Sequence, residues 1–307
     1  MSEQEVTFPS RDLRLAGALT GADTREPRPA ALLVAGSGPI DRNSDAKRLP
    51  LGITGQIAEH LAASGFASLR YDKRGAAASD GDYLSAGFSD NVADAAAALE
   101  FLKEQPGVDP ERVFVIGHSE GALIALALAA SETPPAGVVL LSGAARTGEE
   151  VLRWQASHVS DLLPGPVRGL NNLLRIDVER SQIKRLEKIK ASTGDVIRMQ
   201  GVVKVNGKWF REFMAFDPAD ALSAAAVPIL AITGSEDVQV DPADVAAMEQ
   251  LTDAPFEGHV IPGVNHILRT GAASPTAYKK QVADPVDPRV LDLVDDWLGR
   301  YGGVISS

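Results

Sequence analysis

A serine flanked by two glycines is the residue in this chain whose surroundings best suit covalent chemistry. It lies in Gly117-His118-Ser119-Glu120-Gly121, after the apolar run RVFVI and before the apolar run ALIALALAA. These runs predict a strand, a tight turn and a helix, with the serine hydroxyl projecting from the carboxyl edge of a sheet. The helix N-terminus adds partial positive charge where an oxyanion would form. The pattern predicts a nucleophilic serine, although an ordinary glycine-rich turn has the same composition.

A serine hydroxyl is a weak nucleophile and needs a histidine within hydrogen-bond reach. The chain has five histidines, and His266 is the one that follows a predicted strand into a loop. We place His60 in a packing helix, His118 in the serine turn, His158 in an inserted segment and His259 within a strand. His266 is therefore the expected base, and the alternative is a histidine of an ordinary surface loop.

A carboxylate that orients this histidine is expected just past another strand end, between the serine and the histidine in the chain. The strand VPILAITG is followed by Ser235-Glu236-Asp237. We prefer Asp237 for its distance from the strand end, with Glu236 and Asp241 as alternatives. A solvated carboxylate in a turn is the non-catalytic interpretation.

An oxyanion hole requires backbone N–H donors close to the serine. The run Val34-Ala35-Gly36-Ser37-Gly38-Pro39 follows a predicted strand as a glycine-rich loop. The expected donors are the N–H of Ser37 in this loop, with the N–H of Gly38 as the alternative, and the N–H of Glu120. The loop has neither a G-K-[ST] ending nor a G-x-G-x-x-G spacing, which disfavours a nucleotide site.

The composition excludes several other classes of protein. Asp and Glu number 41 against 30 Lys and Arg, and the net charge of −11 argues against nucleic acid as the main partner. The absence of cysteine excludes disulfides, thiolate metal sites and a cysteine nucleophile. The polar start MSEQEVTFPSRDLRL lacks the pattern of a secretory signal peptide, and no segment reaches the roughly 20 apolar residues of a membrane span. We therefore expect a cytoplasmic chain.

The segments that must position these residues have the sequence pattern of one α/β domain with an insertion. Short apolar strands alternate with Ala-rich helices up to about residue 145, and the pattern returns near residue 217. We predict a core domain of residues 1–145 and 217–307 and a helical cap of residues 146–216. Large apolar residues of the cap are expected to roof the substrate pocket: Trp154, Leu162, Leu163, Leu173, Leu174, Trp209 and Phe213.

Together these motifs resemble the α/β-hydrolase superfamily, and more narrowly bacterial serine carboxylesterases with a G-S-G-P-x-D-R-[DN] loop. The matching segments are Gly36 to Asn43, Leu69 to Gly75, Gly117 to Gly121, Phe216 to Pro218, Gly234 to Asp237, and Asn265-His266. The resemblance implies an α/β-hydrolase fold with a mostly parallel, doubly wound sheet. It implies a catalytic triad of Ser119, Asp237 and His266, and oxyanion donors in the backbone of Ser37 and Glu120. It also implies that four residues support the loop: Gly36, Gly38, Asp41 and Arg42. A structural ion pair is the alternative for Asp41 and Arg42.

The expected reaction is hydrolysis of carboxylic esters of small to medium acyl groups through an acyl-enzyme, without a metal or cofactor. A peptidase or amidase of aminopeptidase type and a thioesterase would use the same triad. A ligand-binding relative with negligible turnover is the non-enzymatic alternative. We expect a small-molecule ester as partner, and the oligomeric state stays open, with a homodimer as one option.

Overall fold

The computed structural model describes residues 2–47, 49–158, 177–199, 201–272 and 275–303. The strands in these ranges are β1 (Glu3–Ser10), β2 (Leu13–Thr20), β3 (Arg28–Val34), β4 (Asp45–Ala46), β5 (Leu49–Pro50), β6 (Ala67–Tyr71), β7 (Val108–His118), β8 (Gly137–Leu141), β9 (Val196–Met199), β10 (Val203–Asn206), β11 (Ile229–Gly234) and β12 (Phe256–Ile261). The α-helices are α1 (Ile53–Ala63), α2 (Phe88–Lys103), α3 (Glu120–Ala129), α4 (Gly148–His158), α5 (Val178–Lys190), α6 (Gly207–Ala215), α7 (Pro218–Ala224), α8 (Asp244–Leu251), α9 (Pro275–Gln281) and α10 (Pro288–Gly302).

An eight-stranded sheet, in the order β1-β2-β6-β3-β7-β8-β11-β12, forms the centre of the molecule. Its strands from β6 to β12 pair in parallel, whereas β2 pairs antiparallel with both β6 and β1. Parallel neighbours need crossover connections, which the helices between the strands provide. The mostly parallel sheet predicted from the sequence is confirmed. Its parallel strands end at one edge, where the loops after β3, β6, β7, β11 and β12 carry the residues of interest.

Helices cover both faces of this sheet. On β3, Leu32 and Val34 belong to the core shared with α2 and α3, while Leu33 belongs to the core shared with α1 and α10. Successive residues of a strand face opposite sides, so the unbroken apolar run of β3 is explained by burial on both faces. Helix α3 is buried along nearly its whole length, as its apolar sequence predicts.

Between β8 and α7, none of the residues that the structure describes joins this sheet. Helices α4, α5 and α6 accompany a two-stranded sheet of β9 and β10, with a small core of Leu186, Ile189, Val205 and Met214. Beside these helices, β9 and β10 form a hairpin that the sequence did not indicate. Its short strands are half-exposed and therefore lack the apolar run that marks a buried strand. The boundaries 146 and 216 stay a prediction.

Among the described helices, none combines the length and the apolar character that crossing a lipid bilayer requires.

Candidate active site

The turn between β7 and α3 holds Ser119 in an unusual backbone conformation. Its φ of 57° and ψ of −117° lie in a region that residues other than glycine rarely adopt. A Cβ added at Gly117 would lie 1.9 Å from the carbonyl oxygen of Gly121, and one added at Gly121 would lie 2.1 Å from the carbonyl oxygen of Val34. Both glycines are thus required for the close approach of strand, turn and helix.

Three side chains from separate loops meet in one line of hydrogen bonds. The Oγ atom of Ser119 lies 3.1 Å from Nε2 of His266. On the other side of the ring, Nδ1 lies 2.8 Å from Oδ2 and 3.0 Å from Oδ1 of Asp237. The structure therefore brings together the serine, histidine and aspartate that the sequence singled out.

The carboxylate of Asp237 is buried and well supplied with donors. Its Oδ1 accepts hydrogen bonds from the backbone N–H groups of Gln239 at 2.8 Å and Val240 at 3.0 Å. Burial acts to raise the pKa of Asp237, but the charge and hydrogen bond of His266 and these N–H groups outweigh burial, so the pKa lies below its ordinary value. An ionised Asp237 accepts from Nδ1–H of His266, which leaves Nε2 free to accept from the serine hydroxyl.

The two alternative carboxylates lie elsewhere. Glu236 is exposed, and its side chain lies 3.5 Å from the hydroxyl of Ser235. Asp241 forms an ion pair with Arg146. Neither is hydrogen-bonded to His266 in the described part of the chain, where Asp237 is the carboxylate that contacts the imidazole.

The loop after β3 packs directly against the serine. A Cβ at Gly36 would lie 3.4 Å from Cβ of Ser119, so the backbone of Gly36 passes beside the nucleophile. Gly38 has a φ of 110°, which favours glycine. Ser37, between these two glycines, is exposed and lines the same cavity as Ser119 and Glu120.

Asp41 and Arg42 hold this loop together through its backbone and through ion pairs. Oδ1 of Asp41 accepts from the N–H groups of Asn43 and Asp45, each at 2.9 Å. The guanidinium of Arg42 binds the buried carboxylate of Asp72, at 2.8 Å from Nη2 to Oδ2. Both side chains thus bind groups of the protein itself, and their role as loop support stays a prediction.

A buried polar cluster beneath the loop was not anticipated from the sequence. Nζ of Lys73 donates to Oε2 of Glu120 at 2.8 Å and to the carbonyl oxygen of Gly36 at 3.0 Å. The other carboxylate oxygen of Glu120 accepts from Nδ2 of Asn91 at 2.9 Å and from Nε1 of Trp209 at 2.7 Å. The signal in the sequence was a lysine two residues past the end of β6, a strand that is buried along its whole length.

His118 is a second residue whose role the sequence did not indicate. Its ring is buried, and Nε2 lies 2.8 Å from the main-chain carbonyl oxygen of His266. Burial lowers the pKa of His118 to about 3, and the neighbouring His266 acts in the same direction. A neutral imidazole therefore joins the serine turn to the backbone of the histidine loop.

A small cavity of about 70 Å³ opens beside Ser119. Trp209 and Phe213 of α6 line it, as predicted for cap residues, whereas Trp154 packs against His158 and Arg146 instead. The predicted roof residues Leu162, Leu163, Leu173 and Leu174 lie outside the described residues. The remaining walls come from both the core and α4: Leu123, Ser142, Ala144, Val151, Leu152, Gln155, Gln239 and Val240.

Comparisons with known proteins agree with this architecture. Residues 51–270 match the sequence model of the family described as serine aminopeptidase, S33. The chain is 28% identical over 302 residues to esterase EstD of Thermotoga maritima, an alignment that covers 95% of this chain and 68% of EstD.

Solved structures share the fold. The α/β hydrolase GrgF of a Penicillium species superposes with a TM-score of 0.66 at 18% identity, covering 99% of this chain and 100% of GrgF. The proline iminopeptidase of Mycobacterium smegmatis superposes with a TM-score of 0.62 at 14% identity, covering 97% of this chain and 99% of the iminopeptidase. The α/β-hydrolase fold predicted from the sequence is confirmed, although this fold hosts many reactions.

Proposed function

Because the chain belongs to the serine aminopeptidase S33 family of α/β hydrolases, we propose that it is a serine hydrolase that cleaves carboxylic esters of small molecules. The observation that carries this proposal is the hydrogen-bonded line from Ser119 through His266 to Asp237. A relative matched along 95% of the chain is an esterase, which favours ester hydrolysis over the other reactions of the family.

In the first half of the reaction, Oγ of Ser119 attacks the ester carbonyl carbon while Nε2 of His266 takes the hydroxyl proton. The tetrahedral intermediate collapses with cleavage of the bond to the alcohol oxygen, and His266 gives its proton to that oxygen. The alcohol leaves, and the acyl group stays on Ser119. Asp237 holds the imidazole in the required tautomer and stabilises its protonated form.

In the second half, water attacks the acyl-enzyme by the same route. His266 takes a proton from the water and returns it to Oγ of Ser119 as the carboxylic acid departs. The N–H groups of Ser37 and Glu120 are our assignment for the oxyanion donors of both steps. Support comes from their place beside Ser119 in the cavity and from the location of Glu120 at the first turn of α3, where the helix dipole favours negative charge.

The size of the cavity favours short acyl groups. A cavity of about 150 Å³ takes a molecule the size of benzene, so about 70 Å³ holds roughly three non-hydrogen atoms. Aliphatic and aromatic side chains such as Leu123, Phe213 and Val240 form much of its wall. We infer that acyl chains of about two to four carbons fit best.

Peptide hydrolysis is the second candidate, because the family description names an aminopeptidase. A carboxylate is a strong hydrogen-bond partner for the ammonium group of an amino-terminal peptide. In the described lining of the cavity the acidic residue is Glu120, and its two carboxylate oxygens are already engaged by Lys73, Asn91 and Trp209. This engagement favours a neutral ester over an amino-terminal peptide.

A fluorophosphonate probe tests the proposal directly. We expect a covalent adduct on Ser119, located by peptide mass spectrometry, and no adduct in Ser119→Ala, with ester turnover lowered at least about 10³-fold in this variant. Turnover of a p-nitrophenyl ester should far exceed that of the matched anilide. A folded protein that is neither labelled nor active on esters would contradict the proposal, and equal ester and anilide rates would favour the peptidase.

A further inference from the structure

We propose that Lys73 is a positioning residue of the oxyanion hole, holding the two backbone donors in place through one buried ammonium group. The inference rests on the proposed function, because it concerns the N–H groups of Ser37 and Glu120 assigned above. Its basis is the pair of hydrogen bonds from Nζ of Lys73, at 3.0 Å to the carbonyl oxygen of Gly36 and at 2.8 Å to Oε2 of Glu120.

The bond to Gly36 orients the first donor. The carbonyl of Gly36 and the N–H of Ser37 belong to the same peptide group, and in a trans peptide these two bonds point in opposite directions. A cation that draws the carbonyl oxygen inward therefore turns the N–H of Ser37 outward, toward the cavity that Ser37 lines. The same charge polarises the peptide and makes its N–H a stronger donor.

The bond to Glu120 anchors the second donor. Glu120 directly follows the nucleophile and begins α3, and its side chain is 1% exposed. Lys73, Asn91 and Trp209 bind its two carboxylate oxygens from three other segments of the chain. This clamp restricts the backbone of Glu120 as well as its side chain, so the orientation of its N–H is set by the same cluster.

Stability alone does not account for this arrangement. The side chain of Lys73 is 5% exposed, and a buried ion pair loses about as much hydration energy as it gains in attraction. Replacing a buried ion pair by an apolar pair of similar volume often leaves stability unchanged or raises it. The ammonium group is a fixed donor to the carbonyl of Gly36 beneath the loop. An apolar side chain cannot provide such a donor.

Lys73→Met tests the inference, because methionine is only one atom shorter than lysine and lacks the ammonium donor. We expect kcat on p-nitrophenyl acetate to fall about 10- to 100-fold with little change in KM. This loss is smaller than the about 10²–10³-fold loss that follows removal of one oxyanion-hole donor. Binding of a boronic acid, which forms an anionic tetrahedral adduct on the serine, should weaken by a factor similar to the loss in kcat/KM.

Two further variants separate positioning from structural damage. Arg74→Met removes a comparably buried ion pair, that of Arg74 with Asp94, and should lower the melting temperature without the loss in kcat. Lys73→Met/Glu120→Gln removes the charge left unpaired in the single variant, so it should regain stability while kcat stays low.

Three results would overturn the inference, and they differ from a failure of the proposed function. The first is a kcat for Lys73→Met equal to that of Arg74→Met, and the second is recovery of kcat in the double variant. The third is unchanged boronic acid affinity in Lys73→Met. Wild-type protein without ester turnover would instead overturn the proposed function, and this inference with it.

Discussion

The imidazole of His118 donates its Nε2–H to the main-chain carbonyl oxygen of His266, at 2.8 Å. The carbonyl can only accept, so the proton of His118 lies on Nε2. This bond joins His118, which precedes Ser119 in the chain, to the backbone of His266, whose ring is hydrogen-bonded to Ser119. Because His118 is buried, its pKa is lowered to about 3, and the contact is made by a neutral ring.

His118 should make the protein less stable in acid. Its ring is neutral in the folded state above about pH 3, whereas in the unfolded chain it gains a proton below its ordinary pKa of 6.5. The unfolded state then binds more protons, so the stabilisation is complete above pH 6.5 and is lost as the pH falls toward 3, at up to about 1.4 kcal/mol per pH unit. Denaturant unfolding from pH 7 to 4.5 measures the slope.

The variant His118→Gln removes the titrating ring but keeps an N–H donor. We expect the free energy of unfolding of wild-type protein to fall more steeply toward acid than that of His118→Gln. Parallel curves over this range would show that His118 does not titrate on unfolding in the way its burial implies.

Asp237→Asn should show that Asp237, and not the neighbouring Glu236, is the carboxylate that orients His266. The amide can present an N–H to Nδ1 of His266 and so favour the wrong tautomer, and we expect kcat on a p-nitrophenyl ester to fall about 10³–10⁴-fold. Glu236→Gln is the matched control, since Glu236 is exposed, and its kcat should stay near wild type. A larger loss in the control would assign the acid to Glu236.

The sequence predicted most of the sheet and the meeting of Ser119, Asp237 and His266, because both depend on strands that end at a common edge. It did not predict the role of Lys73, whose burial depends on the approach of α2, α3 and α6 to the loop after β6. Local pattern shows Lys73 as one basic residue among several. For the same reason the sequence placed His118 in the serine turn without indicating its role, since its hydrogen-bond partner lies 148 residues away in the chain.

Gly117→Ala should strongly destabilise the protein. The new Cβ would lie 1.9 Å from the carbonyl oxygen of Gly121, and main-chain atoms cannot move away without opening the turn. We expect a loss of about 3 kcal/mol or more in the free energy of unfolding, measured by urea titration. Gly55→Ala in α1 is the control, because its Cβ would meet the side chain of Asn43 at an ordinary 3.4 Å and alanine favours a helix. A stable Gly117→Ala variant would contradict the close packing of the turn.

Leu152→Ala should extend the range of acyl chains that the protein accepts. Leu152 and Gln155 line both the cavity beside Ser119 and a neighbouring cavity of about 250 Å³ within the cap, which Leu186, Ile189 and Phe210 also line. Removing the leucine side chain joins the two spaces, so kcat/KM for p-nitrophenyl esters should peak at a longer acyl chain than the two to about four carbons expected of wild type. Leu251→Ala, at a similarly half-buried position packed against the core, should lower stability without moving that peak. An unchanged peak in Leu152→Ala would mean that the acyl group does not extend toward α4.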